Sequence, residues 1–178
     1  LLLACAWRAP ICCIRIADVF KSIKSLSYLA LADNRISTLE STIFSALTLL
    51  TSLFLQGNPL VSLPSSVFDT LTLLQVLELY DPAVVSNGLI GKSTDEAVYR
   101  NGAPPALLPM TQLEATMFAM LTNCRTLLLQ STLITDLAMG SFPDSSTLTS
   151  LAIAFNKLTR LQPGILGTLP ALLYLDVS

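Results

Sequence analysis

Five phenylalanines repeat on a fixed step: Phe20, Phe44 and Phe68 stand 24 residues apart, as do Phe118 and Phe142, and the gap between the groups is two steps plus two residues. A period of 20–29 residues marks a solenoid, in which each unit buries its apolar face only against its neighbours. The leucines keep the same step. Leu26, Leu29, Leu31, Asn34, Ile36, Leu39, Phe44 and Leu47 become Leu50, Leu53, Leu55, Asn58, Leu60, Leu63, Phe68 and Leu71. The frame returns as Cys124, Leu127, Leu129, Thr132, Ile134, Leu137 and Phe142, then as Leu148, Leu151, Ile153, Asn156, Leu158, Leu161, Leu166 and Leu169. Such an architecture offers a surface rather than a reaction centre.

Written as LxxLxLxxNxLxxLxxxxFxxLxx, the unit resembles the leucine-rich repeat family, in particular the 24-residue class of extracellular and receptor ectodomain proteins. The resemblance covers nearly the whole chain. It implies an α/β repeat solenoid: a right-handed, horseshoe-like coil with short parallel strands on a concave face and turns or short helices on an irregular convex side. The residues support this independently. In Leu29-Ala30-Leu31 and Leu53-Phe54-Leu55 the alternation puts leucines on one side of a strand and the intervening residues on the other, toward solvent or ligand.

The asparagine after each strand both donates and accepts through one amide, so Asn34, Asn58 and Asn156 are suited to satisfying backbone groups at a buried turn and to forming a ladder. Pro10, Pro82, Leu108 and Thr132 are expected to break that ladder. The phenylalanine slot sends a ring inward from the convex side, where rings of successive coils pack on one another.

At 178 residues, with 52% hydrophobic and 12% charged side chains, the chain fits one domain that spends most positions on core. The expected organisation is a degenerate first repeat over about 2–25, regular repeats over about 26–73, an irregular repeat and loop over about 74–105, and repeats resuming over about 106–178. Leu77 and Leu79 start a fourth unit, but Pro82 replaces its asparagine and the following stretch has no leucine comb. Asp81-Pro82, Asn87-Gly88, Asn101-Gly102 and Pro104-Pro105 are turn formers, which reads either as a bulging binding loop or as a decayed repeat. The ends, which start without Met and stop two residues before the next expected asparagine, read as those of a fragment of a longer repeat protein.

Several chemistries are disfavoured. Residues 41–68 hold no charged side chain, yet Gln56, Gly57, Asn58 and Pro59 interrupt the run at turn slots, so a coil explains it better than a membrane span. The opening LLLACAW reads either as the tail of a secretory signal or as slots of the degenerate first repeat, with Leu2, Cys5, Trp7, Cys12 and Phe20 in frame; the repeat is preferred. Cys5, Cys12 and Cys13 sit where extracellular relatives carry a disulfide-linked cap, but the family's cap spacing is not matched, and buried thiols are the plainer reading. No metal or cofactor is expected, since the chain has no histidine and no CxxC pair. Gly91-Lys92-Ser93-Thr94 resembles the end of a phosphate loop, but Ser86 stands where the motif needs glycine. Without histidine there is no Ser-His-Asp or Cys-His nucleophile, and the reading is non-enzymatic.

Recognition of a macromolecule on the concave sheet remains. The outward slots of the first three units are the richest in anchors: Tyr28, Phe54 and Tyr80 on neighbouring strands, joined by Asp33, Gln56, Glu78 and Asp81. A net charge of −2 offers no basic footprint for nucleic acid, and the acidic patch suggests a protein or peptide with a basic or mixed face. The alternative is a structural or adhesive array that assembles through edges and ends. The 24-residue class favours extracellular or cell-surface use, although the absence of any N-x-[ST] sequon leaves a cytoplasmic location as the alternative; oligomeric state is not set by the sequence.

Overall fold

The computed structural model describes residues 19–60, 62–80, 112–113, 116–132, 134–142 and 147–178. Its strands, in chain order, are β1 (Tyr28–Ala30), β2 (Ser52–Phe54), β3 (Val76–Glu78), β4 (Gln112–Leu113), β5 (Thr126–Leu128), β6 (Asp136–Leu137), β7 (Ser150–Ala152) and β8 (Tyr174–Asp176). The main sheet runs β1-β2-β3-β5-β7-β8, every pair parallel, and β4 pairs with β6 in a second, two-stranded parallel sheet. Strands of two or three residues have no stability alone; each exists because the next coil supplies its hydrogen bonds. The connecting segments of the described residues are mostly turns, as expected for an irregular convex side.

The leucine comb explains the winding. The central leucines Leu29, Leu53, Leu77, Leu127 and Leu151 are all buried, and Leu50, Leu55, Leu60, Leu71, Leu74 and Leu79 pack with them. On β8, the edge strand of the described sheet, the equivalent Leu175 is 42% exposed. The phenylalanines form the second element of the core. Ring centroids lie 6.3 Å apart for Phe20–Phe44, 6.5 Å for Phe44–Phe68, 6.0 Å for Phe68–Phe118 and 6.4 Å for Phe118–Phe142, and the last three pairs are stacked. All five rings are buried, so one aromatic column runs along the solenoid.

This column crosses the interruption in a single step. Val76 pairs with Thr126 and Leu77 with Leu127, so the strand after β3 in the sheet lies 50 residues further along the chain. The Arg125 and Thr126 amides both donate to the Gln75 carbonyl, at 2.8 and 2.9 Å, and Asn123 Nδ2 donates to Thr72 O at 2.8 Å. Two periods plus two residues of sequence therefore amount to one coil step in space. Leu77 and Leu79 open a unit one step after Leu53 and Leu55, as expected, and Phe118 follows Phe68 in the ring column. The turn formers and the GKST stretch between them, with Pro82 and Leu108, lie outside the described residues, as do Pro10, Cys5, Cys12 and Cys13.

The asparagine ladder is present. Asn58, 3% exposed, donates through Nδ2 to Leu55 O of its own coil at 2.9 Å and to Leu31 O of the preceding coil at 2.7 Å, and its Oδ1 accepts from the Ile36 amide at 3.1 Å. Asn156 repeats the pattern with Ile153 O, Leu129 O and the Ile134 amide. Thr132 was expected to interrupt this ladder; instead its hydroxyl lies 3.1 Å from Leu129 O, in the place of the amide nitrogen, and 3.1 Å from Asn156 Oδ1. The threonine has one proton where asparagine has two, so it holds its own coil and lets Asn156 hold the next. Just before these positions the backbone enters the left-handed region at one repeated slot: Asp33 (φ 55°), Gly57 (φ 69°), Ser131 (φ 58°) and Phe155 (φ 56°). Only at Gly57 does a side chain also lack room, because a Cβ there would collide with the Asp33 carboxylate.

Candidate functional site

Alternation along β1, β2 and β3 sends Tyr28, Phe54 and Glu78 to the face opposite the leucine comb. The ladder continues past the strands: Leu55 N donates to Glu78 O at 2.9 Å, Asp33 N to Gln56 O at 2.9 Å and Gly57 N to Tyr80 O at 3.1 Å. Ala32, Gln56 and Tyr80 consequently form the next row, each about 4.8 Å from its neighbour. Tyr28, 47% exposed, packs its ring against that of Phe54 on the adjoining strand, with centroids 5.1 Å apart and planes tilted by 41°. Phe54 in turn lies directly across from Glu78.

Glu78 is flanked by Phe54 on β2 and Leu128 on β5, and this apolar flanking has an electrostatic result. Burial raises the Glu78 carboxyl above the usual carboxylate range, while a hydrogen bond donated by the Tyr80 hydroxyl acts more weakly in the opposite direction. The Tyr80 phenol is itself raised, first by burial, then by the charges of Glu78 and Asp33, then by its hydrogen bond to Glu78. The charge effect places Asp33 within electrostatic reach of Tyr80 although it follows β1, two strands away. Tyr28, Asp33, Phe54, Gln56, Glu78 and Tyr80 thus form one patch; Asp81 lies outside the described residues.

The face is not open along its whole length. The outward slots after β3 were expected to meet solvent, yet Gln130 is 5% exposed and Ala152 and Ala154 are fully buried, whereas Tyr28, Phe54, Glu78 and Tyr80 keep accessible surface. Alternation decides which side of a strand a residue leaves, not whether that side is uncovered. Sequence reasoning also left Gln130 out of the patch. The 50-residue register places it beside Tyr80, as Gln56 lies on the other flank, and the side-chain Oε1 atoms of Gln56 and Gln130 are both buried without a hydrogen-bond partner. The shared repeat slot of the two glutamines was the available signal, but their nearness depends on the single coil step across the interruption.

Among the described residues no three acidic or thiol side chains converge on a metal-sized site, and no helix is long and apolar enough to cross a membrane. Cys124, in a leucine slot, is 3% exposed, and burial pushes its thiol up to about 12, so it serves as a small core side chain.

Stacked coils with a parallel sheet on one face, an asparagine-bonded turn and an aromatic column define a repeat solenoid. The sequence profile described as Leucine rich repeat matches residues 17–60 and 112–178, more than half of the chain, and the chain belongs to the leucine-rich repeat family. Solved structures share the fold. The glycosylated form of the Drosophila Toll–Spatzle complex matches with a TM-score of 0.69 and 23% identity over 90% of this chain and 20% of that one. The TLR13–ssRNA13 complex matches with a TM-score of 0.68 and 23% identity over 89% of this chain and 19% of that one. The chain therefore spans only about a fifth of the length of these proteins. A comparison with curated protein sequences gives no match.

Proposed function

We propose that this chain is a non-enzymatic binding module that takes a protein or peptide on the part of its concave face formed by β1, β2 and β3, as the ligand-sensing portion of a receptor-like protein at or outside the cell surface. The observation that carries this reading is the partly exposed Tyr28–Phe54 ring pair, 5.1 Å between centroids, set beside the half-buried Glu78–Tyr80 pair. Partly exposed aromatics next to a desolvated charge are the ingredients of a binding hot spot. The similar solved structures are of Toll with Spatzle and of TLR13 with a single-stranded RNA, so the fold by itself does not exclude nucleic acid. The acidic character of the patch and the net charge of −2 favour a protein ligand.

A peptide-display selection on the immobilised domain tests the reading, with each binder re-measured on the Phe54→Ser/Tyr80→Ser double variant after circular dichroism has confirmed its fold. Binders that weaken strongly on the variant support the site. Binders that hold at full strength place recognition elsewhere, and a selection that yields none above background removes the proposal.

A further inference from the structure

We propose that the β1–β3 patch recognises a guanidinium group, so that the ligand's anchor is an arginine side chain laid over the Tyr28 and Phe54 rings with its nitrogens directed at Glu78 and Gln56. This rests on the concave-face reading above and adds the chemistry of the bound group.

The groups of the patch that are short of hydrogen-bond partners are acceptors. Glu78 carries a carboxylate with a single donor, the Tyr80 hydroxyl, and no lysine or arginine of the described residues pairs with it or with Asp33. Gln56 Oε1 is buried without a partner and lies in the row beside Tyr80, two residues past Phe54. Gln130, 5% exposed, presents a second unpartnered Oε1 on the other side of Tyr80. Buried acceptors without donors are rare, because each forfeits its bond to water. A ligand that answers these acceptors must bring several donors.

Two features separate guanidinium from ammonium. Arginine has five N–H donors in a planar fork and stacks on aromatic faces, whereas lysine is a compact, strongly hydrated point charge. The acceptors here lie in two neighbouring rows, Glu78 in one and Gln56 in the next, so a planar fork with several N–H donors answers more of them than a single point charge does. The Tyr28–Phe54 pair supplies the flat apolar wall beside them. Placing the cation against Glu78 also offsets the desolvation that the carboxylate already suffers between Phe54 and Leu128.

The test is a titration of the folded domain with acetyl-Gly-Arg-Gly-amide, followed by amide chemical shifts, beside the citrulline and lysine counterparts. The expected result is millimolar binding, with shifts confined to the backbone of β1–β3 and the residues just after them. Replacing arginine by citrulline, or Glu78 by glutamine, should weaken binding about tenfold or more, the loss expected for a charge-assisted hydrogen bond. Equal responses to citrulline or lysine, shifts centred elsewhere, or no response at about 10 mM peptide (a limit set by the millimolar scale of such contacts) would each overturn the proposal. If binders selected by display lose affinity on Phe54→Ser/Tyr80→Ser yet tolerate replacement of every arginine, the concave site stands and the guanidinium reading falls.

Discussion

The direct stacking of the third coil on the one 50 residues later can be tested through the aromatic column. Phe68 and Phe118 are fully buried and stacked, with centroids 6.0 Å apart and planes 20° from parallel. Had a complete coil stood between them, their separation would be two column steps, roughly 12–13 Å, beyond the range in which ring pairs interact. Phe68→Leu and Phe118→Leu are each expected to cost on the order of 1–2 kcal/mol, since leucine fills part of the space that alanine would leave empty at about 3–5 kcal/mol. In the double variant the shared ring contact is lost only once. Urea unfolding followed by circular dichroism should therefore give a coupling energy of about 0.5–1.5 kcal/mol between the two sites. Phe44 and Phe118, which are not neighbours in the column, provide the control and should be additive within about 0.5 kcal/mol. Additivity at Phe68/Phe118, or coupling as large in the control pair, would refute direct contact between these coils.

Asn58→Ala removes an amide that serves the Leu31 and Leu55 carbonyls and the Ile36 amide, and should destabilise the domain by about 2–4 kcal/mol in the same assay, since orphaned buried groups cost about 1–3 kcal/mol each. Thr132→Val, which orphans fewer groups, should cost less than half as much. Because the folded-state acidity of Glu78 is shifted upward, the native state holds its proton to higher pH than the unfolded chain does. The Glu78 contribution to stability is then greatest in acid and is lost as pH rises through the shifted value. Glu78→Gln should accordingly gain urea stability relative to the parent at pH 7, the difference shrinking toward pH 4; a constant difference would show that burial does not penalise the charge. At Gly57, alanine must occupy a left-handed backbone position and displace the Asp33 carboxylate, and a melting temperature unchanged from the parent would contradict that geometry.

The period alone determined most of this protein. A 24-residue step carrying leucines, an asparagine and a phenylalanine leaves no other way to bury so many apolar side chains in so regular an order, and it placed Phe44, Phe68 and Phe142 indoors and Tyr28 and Phe54 on the outer side of their strands. It also brought Asp33, Gln56, Glu78 and Tyr80 into one patch, because residues one period apart become neighbours in a parallel sheet. Where the period fails, local pattern has nothing to say about which strands meet. Only the tertiary structure decided that β3 pairs with β5, since that choice depends on where the ladder and the ring column find partners and not on the residues between them. The same applies to Gln130 beside Tyr80, to the closure of the face around Ala152 and Ala154, and to Thr132 in an asparagine's place: strand alternation and slot chemistry give directions, while burial and hydrogen-bond partners follow from which coil lies next.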